Sequence, residues 1–426
     1  MKQTLLVAGL VSLCAIHLTR ADDWPQWMGK TRDGVWTEQG VLKTFAAGGL
    51  KIRWRMPVGL GLSSPIVADG RVYLTDVLLT RPKTKERVLC FAAASGQPLW
   101  TYSYDAQYPE SGPGEFMQGP IPTPICHGGK VYSIGRTELA CLDAADGKLL
   151  WKKALDVEYQ AQESLTYASP LIEGNLLVIF AGRFSGEATA CVIAIDKDSG
   201  KTAWRAVTDY AAMSSPTVVS AAGKRQIIVW SQQAVTSVDA VSGEVCWREA
   251  TRPQNQSSAV STPVAQGNLL LIGGLMMKLD SQKPAATVLW PESKSPARRN
   301  LSNTSTPILR GDHIFSARTS GHLVCLEAAT GKELWRTDKV TELGSGACIH
   351  LTTNGDKTFL YTDRGELIIA NLSATGYEEI GRARVLEPTF PYEGRKFVWP
   401  PPAYAERCIF ARSDKELVCA SLAEDF

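Results

Sequence analysis

The sequence lacks adjacent cysteines, a Cys-x-x-Cys, a Cys-x-x-Cys-His and any cysteine–histidine spacing suited to zinc. These absences exclude a dithiol redox motif, covalent haem attachment and a zinc knuckle. Histidine is scarce, with five in 426 residues. His127, His313 and His322 have no cysteine, histidine or acid at ligand spacing. No serine nucleophile motif, phosphate-cradling glycine loop or paired-carboxylate signature is present. Neither sign of charge dominates: 45 Lys and Arg face 43 Asp and Glu. Removing Lys2 and Arg20 with an N-terminal leader makes the counts equal. A balance of that kind argues against nucleic acid as a partner. No long apolar run follows Leu5 to Ile16, so the mature chain is expected to have no transmembrane segment. That run is itself too short to span a bilayer as a helix.

Residues 1–21 read as a secretory signal. Lys2 gives a positive start, Leu5 to Ile16 is the apolar stretch, and Thr19 and Ala21 sit at the −3 and −1 positions. The protein is therefore expected to be exported, to the periplasm or the exterior. Ten cysteines are present; losing Cys14 with the signal leaves an odd number, which cannot all pair within one chain. What remains has ordinary globular composition, 44% hydrophobic and 21% charged, and no disordered tract.

A phrase recurs at a nearly fixed period. It reads LEAATGKELW at Leu326–Trp335, LDAADGKLLW at Leu142–Trp151, FAAASGQPLW at Phe91–Trp100, IDKDSGKTAW at Ile195–Trp204 and VDAVSGEVCW at Val238–Trp247. Its apolar start reads as a buried strand. Its acidic residue (Asp143, Asp196, Asp239 or Glu327) suits backbone amides of the next turn, Asp better than Glu. Its glycine supplies the positive φ of a tight hairpin. Its closing ring suits a contact between neighbouring units. The docking positions are Trp54, Trp100, Trp151, Trp204, Trp247, Trp290, Trp335 and Ile380, spaced by 46, 51, 53, 43, 43, 45 and 45 residues.

A second mark runs out of phase with the first. A small residue before proline opens most units: Ser64–Pro65, Thr123–Pro124, Ser169–Pro170, Ser215–Pro216, Thr262–Pro263 and Thr306–Pro307, with Ala347–Cys348 and Pro401–Pro402 as looser copies. Proline suits the first residue of a strand, where no ladder donor is needed. Each unit then holds four short antiparallel strands in about 45 residues, which describes a propeller blade. The expected fold is all-β, a single eight-bladed β-propeller over residues 51–426. Trp54 has no preceding strands of its own, so Lys51–Val58 is expected to complete the last blade and close the ring. Residues 22–50, rich in tryptophan, are expected as an ordered lead-in on the outside or floor. Cys90, Cys141, Cys325 and Cys419 occupy one strand position in different blades. They are expected as small buried residues, too far apart for disulfides with one another.

The repeated phrase resembles the pyrroloquinoline-quinone (PQQ) repeat family, from about Trp24 to the C-terminus. The resemblance implies an eight-bladed propeller of the kind found in bacterial quinoprotein dehydrogenases. It equally implies kinship with the cofactor-free propeller subunit of the outer-membrane β-barrel assembly machinery. The dehydrogenases of this family tend to carry adjacent cysteines over the quinone and oxygen ligands for calcium. Neither pattern maps onto positions of this sequence, and a repeat reports fold rather than function.

Candidate functional residues come from the loops between second and third strands. Arg136, Arg183, Arg318, Arg364 and Arg412 fall about four residues after equivalent strand positions. A ring of guanidinium groups on one rim would hold carboxylates or phosphates. Pairing with near neighbours such as Glu138, Glu187, Asp363, Glu366 or Asp414 is the competing arrangement. Two long blade-joining loops, Tyr108–Pro120 and Leu386–Pro402, place Glu115, Phe116, Tyr392, Lys396 and Trp399 where they would line a mouth or pack as a lid. His350 is a candidate to face the channel. The expected function is a non-catalytic binding platform for a protein partner or small anionic ligand, monomeric, with no metal or cofactor. The alternative is a PQQ- and calcium-dependent dehydrogenase of an alcohol or sugar.

Overall fold

The computed structural model describes residues 22–80, 83–108, 119–160, 167–183, 185–251, 253, 259–294, 301 and 305–424. Residues 1–21, expected as a signal, lie outside these. Eight four-stranded antiparallel sheets are arranged in chain order. Their innermost strands are Ile66–Ala68, Ile125–His127, Leu171–Glu173, Thr217–Ala221, Val264–Gln266, Ile308–Arg310, Ile349–Asn354 and Ala403–Ala405, opening blades 1 to 8 in that order. The only helix among the described residues is the short Leu155–Tyr159. Blade 8 takes its outermost strand, Lys51–Pro57, from the N-terminal side, paired with Glu416–Ser421 and with Trp54 opposite Cys419. The ring is therefore closed by hydrogen bonds between its two ends, as the lone Trp54 strand implied.

The repeated phrase explains how blades join. Asp143, Asp196, Asp239 and Asp280 each accept backbone amides of the following turn. Glu327 instead takes the Thr330 hydroxyl. At the glycine, the chain passes under the preceding blade's indole. A Cβ on Gly96, Gly147, Gly200, Gly243 or Gly331 would lie 2.5–2.9 Å from the ring of Trp54, Trp100, Trp151, Trp204 or Trp290. Indole nitrogens fix the same junctions. Trp54 donates to Ala93 O, Trp100 to Ala144 O, Trp151 to Lys197 O, Trp290 to Ala328 O and Trp335 to Ser373 O. Trp247 meets a blade without the glycine and donates to Gln226 of its own blade.

The lead-in divides in two. Residues 40–50 do pack outside: Leu42 N donates to Leu422 O, and Thr44 and Phe45 lie beside Gly381, next to Ile380, which replaces a tryptophan. Residues 24–36 instead enter the central channel. The inner edges of the innermost strands would leave amides and carbonyls unpaired, and the lead-in satisfies several of them. Trp24 and Val67 exchange hydrogen bonds of 2.8 and 2.9 Å, Cys126 N donates to Pro25 O, and Thr353 bonds to both Gly34 and Trp36. Trp24 and Trp36 are buried, with Tyr404 of blade 8 between 5.3 and 5.6 Å from their ring centres.

Candidate functional site

In each blade the loop between the second and third strands emerges on the same face as the connection to the next blade. All five predicted arginines belong to this upper face by topology. Their guanidinium groups do not form one open ring. Arg412 ends the strand Cys408–Arg412, before a tight turn, and folds inward; it is fully buried. It donates to Thr75 O, Gly59 O and Ser413 O at 2.9, 2.6 and 2.9 Å. It thereby ties blade 8 to blade 1 rather than facing solvent. Burial pulls it down to about 10. Arg318 pairs with Glu333 across its own blade. Arg136 lies 4.8 Å from the Tyr108 ring centre, and its amide donates to Glu86. Arg183 is half-buried against Gly186. Arg364 donates to Lys396 O at 2.7 Å and lies 3.8 Å from Glu342.

The acids near these arginines in sequence serve other partners. Glu138 binds Lys152 and the Tyr102 hydroxyl. Glu366 binds Arg382 and Arg384. Asp414 accepts from Thr389. Asp363 is buried, its carboxyl raised by desolvation, and accepts from Thr341 Oγ1 at 2.7 Å.

Of the two long loops, Glu115 and Phe116 lie outside the described residues. The other loop forms a hairpin, Phe390–Tyr392 with Arg395–Phe397. It packs down as a lid. Trp399 meets Phe390, Tyr392 and Phe397 at centroid distances of 5.3, 4.8 and 5.4 Å. Its indole donates to Gly346 O, and Arg395 reaches Glu342. Lys396 contributes its carbonyl, to Arg364. The upper face of blades 6 to 8 is thus a linked network of Arg364, Arg395 and Glu342, roofed by aromatics.

The channel holds a second set of polar groups that sequence reasoning recorded only as small residues before proline. Four of these hydroxyls accept the amide of the equivalent residue one blade earlier. Ser64 N donates to Thr123 Oγ1, Thr123 N to Ser169 Oγ, Ser169 N to Ser215 Oγ and Thr262 N to Thr306 Oγ1, at 3.1, 3.0, 2.9 and 3.3 Å. The signal was available: the residue before proline is serine or threonine, not merely small. The lead-in sits inside this belt. Trp27 Nε1 donates to Thr262 Oγ1 at 2.8 Å. Arg32 donates to Pro170 O and Pro216 O at 2.7 and 3.0 Å. Burial lowers Arg32 to about 9.

Beside the lead-in lies a pocket of about 30 Å³ lined by Trp24, Trp27, Thr306, His350 and Pro401 among others. That is room for about one water. His350 does face the channel. Its Nε2 lies 2.7 Å from Trp399 O and 3.1 Å from Cys348 Sγ. Desolvation holds it down at about 4, so the ring is neutral and committed to a carbonyl. Among the described residues no three His, Cys, Asp or Glu side chains converge to hold a metal ion.

No curated protein matches the sequence. Among solved structures, the quinohemoprotein alcohol dehydrogenase from Comamonas testosteroni superimposes with a TM-score of 0.66 at 13% identity, covering 94% of this chain and 80% of that one. A europium-containing methanol dehydrogenase gives 0.63 at 11%, covering 93% and 89%. BamB from Moraxella catarrhalis gives 0.58 at 17%, covering 87% of this chain and 97% of that one. At such identities the likeness shows the shared propeller fold alone. The sequence itself matches the family described as outer membrane protein assembly factor BamB over residues 84–279 and 280–379, well over half its length. The chain belongs to this PQQ-like, BamB-type propeller family.

Proposed function

We propose that the protein is an exported binding platform that engages a protein partner through the upper face of blades 6 to 8. The observation that carries this reading is the occupied axis. Trp24, Trp27, Arg32 and Trp36 fill the channel from within the chain, bound to Val67, Thr262, Pro170, Pro216 and Thr353. A site for chemistry at the centre would need room that these residues take. The exposed and half-exposed charges around Arg364, Glu342 and Arg395 are suited to complementary contacts that set orientation and partner choice. Membership of a family named for an assembly factor supports a protein as the occupant. A small anion is the second occupant the same arginines would accept. PQQ- and calcium-dependent oxidation of an alcohol or sugar is the competing reading, and it calls for a donor set that the described residues do not bring together.

The test is site-specific photo-crosslinking in intact cells. A crosslinking residue at position 364 or 395 is expected to give one discrete adduct. The same residue at Val245, on the outer strand Val245–Ala250 of blade 4, is expected to give none. Equal labelling from all three positions would defeat the platform assignment.

A further inference from the structure

We propose that the pocket between the lead-in and blades 6 to 8 is a site for a soft monovalent metal ion, cuprous copper, held by the Met28 thioether and the His350 imidazole. Both residues line it, and Trp24, Trp27, Leu351 and Pro401 supply most of its apolar wall. Its volume of about 30 Å³ suits one ion as well as one water. Trp27, Met28 and Pro401 are half-buried, so solvent reaches the pocket past them.

The imidazole is set by its far nitrogen. Nε2 lies 2.7 Å from Trp399 O. A carbonyl only accepts, so Nε2 carries the proton and Nδ1 keeps a lone pair. Among the described residues no hydrogen-bond partner takes Nδ1. This is the arrangement of a metal-binding histidine: one nitrogen donates to a carbonyl and fixes the tautomer, and the other ligates. The ring stands on Ile349–Asn354, the innermost strand of blade 7. The thioether comes from the lead-in. Gly34 N donates to Met28 O at 3.0 Å and closes the loop that carries Arg32. A Cβ on Gly34 would lie 3.7 Å from Met28 Cε. The end of the Met28 side chain therefore rests against Gly34, which also lines the pocket. The loop holds Met28 at φ +60°, a conformation that costs a residue with a Cβ about 1–2 kcal/mol.

The donors decide the ion. A thioether and a neutral imidazole bring no negative charge. Zinc and calcium sites draw on more donors, with thiolates or carboxylates among them, and no such group converges among the described residues. Thioether sulfur selects Cu(I), a filled-shell monovalent ion for which low coordination suffices. Trp24 and Trp27 place indole rings in the wall, and indole faces attract a cation. Water is the competing occupant. It needs about two to four polar partners, which a mainly apolar wall supplies poorly.

The experiment is an anaerobic titration of the purified protein with Cu(I) buffered by bicinchoninate, whose colour fades as the protein takes the ion. The protein carries Cys246→Ser, because Cys246 is the one free cysteine among the described residues that is not buried. The expected result is one Cu(I) per chain, with affinity at least about tenfold weaker in Met28→Leu and in His350→Gln. Met28→Leu keeps the size of a half-buried side chain, so the test does not rest on how well the His350 variant folds. Cys348→Ser should keep the site, although Cys348 Sγ lies 3.1 Å from His350 Nε2. Silver(I) soaked into crystals of the same chain should give one anomalous peak between Met28 and His350. Failure to hold copper against the competitor would overturn the proposal. So would an affinity unmoved by Met28→Leu, a loss confined to Cys348→Ser, or silver found on cysteine sulfurs alone.

Discussion

Arg32 and Pro216 stand 184 residues apart in sequence, and the Arg32 Nη2 donates to the Pro216 carbonyl at 3.0 Å. The other arm of the guanidinium holds Pro170 of the neighbouring blade at 2.7 Å. One side chain from the lead-in thus clamps the upper ends of two innermost strands. Arg32→Met removes donors from two buried carbonyls. It is expected to cost about 3 kcal/mol, read as a lower urea midpoint at unchanged m-value. A loss under about 0.5 kcal/mol, the scale of a surface change, would mean that the clamp is dispensable.

The junction glycines separate two costs. Gly147 has φ +75° and a Cβ there would lie 2.5 Å from the Trp100 ring, whereas Gly174 has φ +58° and nothing within 4 Å. Gly174→Ala pays only for the left-handed backbone, about 1–2 kcal/mol. Gly147→Ala adds displacement of the indole and is expected to lose about 3–5 kcal/mol. Equal losses by thermal or urea unfolding would refute the docking account.

Arg412 and Arg364 came from the same sequence pattern and are expected to behave differently. Arg412→Met removes the donor to Gly59 O and leaves Thr75 O with the Ser63 hydroxyl alone, and should destabilise by about 2 kcal/mol. Arg364→Met disturbs a rim contact and should change stability by less than about 1 kcal/mol, while lowering any crosslinking yield at its neighbours. The reverse order would restore Arg412 to the binding surface.

His350 gives the pH dependence a definite sign. Its ordinary value is 6.5 and burial lowers it to about 4 in the folded chain. Between these values the unfolded chain binds the extra proton. Stability is therefore full above about pH 6.5 and declines as pH falls towards 4, by about 3 kcal/mol from this group. His350→Gln should remove that portion of the slope in urea unfolding at pH 7 and pH 4. An unchanged slope would show that the imidazole is not desolvated.

The number of blades and the closure were legible because both rest on local chemistry repeated in register. The turn at Gly147 needs a positive φ, and Pro170 needs a strand start without a donor. The channel filling was not legible. Arg32 and Trp27 reach partners in blades 3, 4 and 5, and no local pattern in the lead-in specifies which carbonyl a guanidinium will meet. The rim was half legible for a related reason. Topology places the arginines on one face, but place within the turn separates them: Arg412 is the last residue of its strand and folds inward, while Arg364 lies in the turn itself and stays at the edge.

The occupied channel is tested most directly by titrating the purified protein with PQQ in the presence of calcium, then assaying dye-linked oxidation of simple alcohols and sugars. The account predicts no saturable change in quinone absorbance and dye reduction no faster than the protein-free control. Saturable quinone binding with sustained substrate-dependent dye reduction would contradict it.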